Sequence, residues 1–184
     1  MFADYYFRAV DDWNSGRRGD VPRAWAIAMR AEDDRTLPAS GNLSLGINAH
    51  VQRDLPFVLA SIGLVKPDGT SRKRDHDKVN VFLNRVTDGL IAEIARRFDP
   101  TADDRDLPTS IDDMGVFQII PTWREIAWRN AERLVTAPTP LARALVAASI
   151  EDYAASQAES LQRTFAYPPG QSSAARDAYC AVNG

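Results

Sequence analysis

Apolar positions recur along this chain at the three-and-four spacing of helices, and they nowhere alternate steadily enough to predict a half-buried strand. Phe2, Tyr6, Ala9, Val10 and Trp13 share one helical face, and Asn14-Ser15-Gly16 stops the run. Pro22 suits the first turn of a second helix through Arg30, with Trp25 and Met29 on one side. Glu32 to Asn42 reads as a loop, and Ser40-Gly41-Asn42 supplies capping residues for a helix from about Leu43. Gly63 to Arg74, with Lys66-Pro67-Asp68-Gly69, is turn-rich. A long helix follows from about Asp75 to Phe98, with Val79, Phe82, Leu83, Val86, Leu90 and Ile94 at core spacing. Asp99 to Ser110 is acidic and proline-containing, which predicts a loop. Met114 to Ile120 fits a short helix and a strand equally. Thr122 to Val135 is helical with Trp123, Ile126, Ala127 and Leu134 inward, and Leu141 to about Phe165 forms an alanine-rich helix after the Pro138-Thr139-Pro140 turn. The tail, residues 166–184, is expected to fray or to hold a short helix. The expected architecture is all-α, an irregular bundle of about six or seven helices in a single domain over 1–184. The abrupt start of the first helix is what a chain lacking the N-terminal part of a longer parent would show.

One segment breaks the apolar pattern. Wound at roughly 100° per residue, Leu43, Ile47, Val51 and Val58 form one stripe, and His50 and Asp54 fall inside it. An imidazole and a carboxylate removed from water must satisfy each other, meet other polar groups or hold an ion. Pro56 removes a backbone donor two residues later, which predicts a kink near Gln52 or a helix end close by. A second polar set, Asp75-His76-Asp77, opens the long helix with Asn80 one turn on. The two histidines of the chain therefore both sit among carboxylates.

Two readings of these residues compete. In the first, His50 is a general acid/base or ligand, Asp54 its partner and Asn48 a supporting group, in the pocket of a small-molecule enzyme. His50, Asp54, His76 and Asp75 or Asp77 could together supply the mixed nitrogen and oxygen donors of one zinc, iron or manganese ion, as in a metal-dependent hydrolase. Metal-free acid/base or cyclisation chemistry is the alternative form. Asn80, Trp123 and Asn130 share faces that could line the same cavity. In the second reading, the chain is a helical binding or interaction module and the same groups are a structural polar core. Acidic residues in the first turn of a helix also have an ordinary explanation in its dipole.

Composition narrows the rest. With 184 residues, 45% of them hydrophobic, the chain can build one proper core. A net charge of -3 and a pI near 5.4 argue against a nucleic-acid-binding surface. No apolar run approaches the roughly 18 residues of a membrane span, and the N-terminus lacks the basic region and cleavage site of a signal peptide. A soluble, cytoplasmic protein with a small-molecule ligand is the expectation. Cys180 is the lone cysteine, so neither an internal disulfide nor a cysteine-rich zinc site can form. Phosphate-binding glycine loops, Gly-x-Ser-x-Gly and His-Glu-x-x-His are all missing.

The ordered blocks Pro22-Arg23-Ala24-Trp25, Leu45-Gly46-Ile47-Asn48-Ala49-His50-Val51-Gln52-Arg53-Asp54-Leu55-Pro56, Asp75-His76-Asp77-Lys78-Val79-Asn80 and Trp123-Arg124-Glu125-Ile126-Ala127-Trp128 resemble the bacterial domain-of-unknown-function family numbered 5995. The resemblance covers most of residues 2–135 and implies a helical fold. It draws attention to Asn48, His50, Asp54, Asp77 and Asn80 without assigning them roles. His50, Asp54 and Pro56 are also similar to a ligand motif of helical zinc phospholipases C and S1-type nucleases, but two histidines are too few for a trinuclear zinc site.

Overall fold

Prolines and glycines set several of the helix boundaries in the computed structural model, which describes residues 2–97, 113–168 and 174–183. Helix α1 (Phe2–Asn14) ends at the positive-φ Gly16. Pro22 and Pro38 occupy the caps of α2 (Arg23–Asp33) and α3 (Ala39–Asn48). The latter starts four residues before the expected Leu43, because Pro38, with its ring-fixed φ and an extended ψ, is the cap from which the helix begins directly. A π-helical segment, Ala49–Asp54, joins α3 without a break to α4 (Leu55–Ile62), and Gly63 at φ +78° ends the run. Helix α5 spans Lys73–Arg97, α6 Asp113–Thr136, α7 Pro140–Phe165 and α8 Ala174–Asn183. The Thr139 hydroxyl caps α7 by accepting from the Ala142 N–H at 3.1 Å, with Pro140 in the first helical position. The architecture is all-α, and among the described residues the only β feature is an isolated bridge between Val65 and Ser71.

Three expectations change. The stretch from Met114 to Ile120 is neither a strand nor a separate helix, since α6 runs through Pro121 from Asp113 onward. The expected interruption near Gln52 takes the form of a π turn. Leu55 N–H bonds the His50 carbonyl five residues back, and this wider spacing relieves the clash that a proline ring makes with the carbonyl four residues before it, here that of Gln52. Thirdly, Val79, Phe82, Val86 and Leu90 are exposed rather than core, Phe82 to 61%, because α5 packs chiefly on α6 and along one side. The acidic loop expected over 99–110 lies outside the described residues.

The core has two parts. In the larger, Trp13 of α1, Ala24, Trp25 and Ala31 of α2, and Leu45 pack against Ala154, Ala158 and Phe165 of α7. In the smaller, Leu55 and Leu59 of α4 meet Ala127, Trp128 and Ala131 of α6. The π segment lies between them and touches α1, α2, α6 and α7 as well as the helices it joins. Gly41 allows the close approach of α3 to α7, since a Cβ there would stand 2.8 Å from Cβ of Phe165. This tight contact also explains why α3 turns its small polar face inward. Ser44, Leu45, Asn48 and Gln52 are buried, whereas Leu43, Ile47 and Val51, the expected core stripe, are only half-buried.

Candidate functional site

Asp54 closes the π segment with no exposed surface at all, so every lone pair it uses must be satisfied by the protein. Its Oδ2 accepts from the Trp25 indole N–H at 2.9 Å and faces His50 Nδ1 at 3.3 Å, while Oδ1 accepts from the Arg53 guanidinium at 3.0 Å. A carboxylate can only accept, so a hydrogen bond between the two requires the proton on Nδ1 of His50. Nε2 is then the basic nitrogen. Arg53 continues the network by donating to Glu151 Oε2 at 2.9 Å, and the other oxygen of Glu151 takes the Arg23 backbone N–H at the start of α2. Burial pulls the Arg53 guanidinium down, but its bonds to Glu151 and Asp54 outweigh this and hold it above its ordinary value.

The His50 side chain retains 29% exposure. One face stacks on Phe2 at 3.6 Å between ring centroids, and Trp25 stands at 6.2 Å. Together with Tyr6, Trp25, Leu43 and Ile47, the ring lines a cleft of about 310 Å³ whose other walls are Ala3 and Gly46. His50 is the one ionisable group with an imidazole or carboxylate in that lining, so this is an apolar, aromatic cleft with a single base in its wall.

The remaining candidates lie elsewhere. Asn48 does not line the cleft; its amide donates to the Ala154 carbonyl at 2.9 Å and braces α3 against α7. Asp75 and Asp77 are about half exposed and engaged by lysines, Asp75 with Lys66 at 2.6 Å and Asp77 with Lys73, which also reaches Glu125 at 2.9 Å. The lysines hold the Asp75 and Asp77 carboxyls below their usual range. His76 is buried under Trp128, with Nδ1 3.3 Å from Asp77 and Nε2 without a protein partner. Desolvation first, and then the Arg124 charge, push its pKa down. Asn80 is half-buried with an unpartnered Oδ1. Trp123 is buried, and Asn130 lines a different cleft with Arg133, Ser149 and Tyr153.

The five expected metal donors therefore do not converge. Among the described residues, no three His, Cys, Asp or Glu side chains are grouped to hold an ion. The reason is directional: His50 turns toward α1 and α2, whereas His76 turns toward α6 and its flanking aspartates toward lysines. A zinc, iron or manganese ion does not fit this donor set, and the trinuclear zinc likeness stops at a shared His-x-x-x-Asp spacing.

Trp25, Arg53 and Glu151 are the residues of the His50–Asp54 network that sequence reasoning passes over. The family profile for DUF5995, a family of unknown function, matches residues 1–164. The chain belongs to the DUF5995 family. No curated protein and no solved structure matches it significantly. In this DUF5995 chain the Asn-Ala-His and Asp-Leu-Pro blocks coincide with the π segment and its flanks, and the Pro-Arg-Ala-Trp block supplies the indole that bonds Asp54. No helix among the described residues is long and apolar enough to cross a membrane.

Proposed function

We propose that the protein is a small-molecule enzyme that uses His50 as a metal-independent general acid/base, oriented by Asp54, on a mainly apolar substrate held in the Trp25 cleft. The observation that carries this reading is the fully buried Asp54 bonded to a histidine whose ring lines an open cleft. Nε2 would take a proton from a substrate C–H or O–H, leaving an imidazolium whose Nδ1–H stays on Asp54, and would return that proton to the product. The π turn supports the reading, because such turns occur frequently at functional sites and this one carries both members of the pair.

A binding or interaction module is the second reading, favoured by Phe2, which already covers one face of His50. The elimination of 5-nitrobenzisoxazole separates the two, since a base removes its C3 proton, the N–O bond opens and a coloured phenolate results. The enzyme reading expects saturable turnover that falls about a hundredfold or more in His50→Ala, with a smaller loss in Asp54→Asn. Turnover no better than free imidazole, together with ligand binding that survives His50→Ala, would favour the binding module. Thermal unfolding of both variants checks that the fold remains.

A further inference from the structure

A second cleft, of about 330 Å³, opens where α4, α5 and α6 meet. Leu55, Val58, Leu59 and Ile62 of α4 and Val79 of α5 give it an apolar wall. Arg72, His76 and Arg124 line it too, and each has a buried side-chain nitrogen without a protein partner: Nε of both arginines and Nε2 of the histidine. Arg124 retains 7% exposure, and the His76 side chain retains 3%. The Arg124 terminal nitrogen donates to the His76 carbonyl at 2.6 Å, but among the described residues no carboxylate pairs with this guanidinium or with that of Arg72. Asp77 is close enough to favour the charge on Arg124, yet its carboxylate is held by Lys73. Asp75, which also lines the cleft, is bonded to Lys66 and feels the Arg72 charge only at longer range. Burying a guanidinium without a carboxylate bonded to it is costly, and both of these guanidiniums line a largely apolar cleft.

We propose that this cleft binds a small amphiphilic carboxylate, with its head on Arg124 and Arg72 and its apolar body against Leu55, Val58, Leu59 and Val79. Two guanidiniums in the lining supply the planar, forked donors that suit a carboxylate. The His76 ring becomes a third donor once Nε2 carries a proton. The apolar wall sets the preference for a medium-length chain over a bare anion. The two clefts share no lining residue, although Phe2, which borders this one, stacks on His50.

The test is titration calorimetry of the full chain with octanoate, acetate, inorganic phosphate and octanol. Octanoate is expected to bind saturably, while acetate, phosphate and octanol bind at least about tenfold more weakly. Arg124→Gln and Arg72→Gln should each weaken octanoate by about tenfold or more and leave the His50-dependent elimination unchanged. Arg72→Gln covers the case in which Arg124→Gln does not fold, because Arg72 is only half-buried. No octanoate binding, or binding as tight for octanol, acetate or phosphate, would overturn the proposal. So would octanoate binding that persists in a folded arginine variant and disappears in His50→Ala, which would assign the ligand to the other cleft.

Discussion

At Asp54, replacing the carboxylate by a methyl group leaves the Trp25 indole N–H and the inner face of Arg53 without their acceptor in the interior. Asp54→Ala is therefore expected to lose about 3–5 kcal/mol of stability, as breaking a buried charged pair does. Trp25→Phe removes one donor and keeps most of the packing, so about 1–3 kcal/mol is expected. Urea unfolding checks both, and an Asp54→Ala midpoint equal to that of the parent would mean that this network contributes nothing to the fold. The pairing of His50 with Asp54 was legible in the sequence because both lie one turn apart on one helix. Trp25, 29 residues before Asp54, and Glu151, 98 residues after Arg53, were not, since only the tertiary fold brings them together. Arg124 was hidden for another reason. Arginine is ordinarily exposed, and nothing in local spacing marks the exception.

Among the elements, helix existence followed from apolar periodicity, but the buried face of α3 did not. The wheel assigned Leu43, Ile47 and Val51 to the core, whereas close packing on α7 selected the small side, Gly41, Ser44 and Asn48. At Gly41 no side chain fits, because α3 and α7 approach too closely there. Gly41→Ala puts a methyl group against Phe165 and Leu37, so a loss of about 1–3 kcal/mol is expected from overpacking. Thermal unfolding measures it, and an unchanged or raised melting temperature would show that α7 can shift aside. The π turn was equally out of reach, since Pro56 announces a disturbance without specifying whether the helix bends, ends or widens.

For the molecule as a whole, acidity acts first through His76. Burial and the Arg124 charge keep its folded-state pKa below the ordinary value, so the unfolded chain binds the proton more readily. Stability should be level above the unfolded value of about 6.5 and should fall as the pH drops from there through the depressed folded value. Melting temperatures recorded across that window should decline in the parent and decline less in His76→Gln. Identical slopes would show that this ring titrates alike in both states. The lysine-bound Asp75, Asp77 and Glu125 act in a separate window, because their lowered pKa values give stability that is lost only as the pH falls through the carboxylate range.

The distribution of tryptophan gives these protonation events an optical signature. Each of the two histidines has an indole as its neighbour, Trp25 at 6.2 Å from His50 and Trp128 at 5.3 Å from His76. An imidazolium quenches a nearby excited indole far more strongly than neutral imidazole does. Each histidine thus has a fluorophore beside it, and the chain can report the charge on either ring without a label.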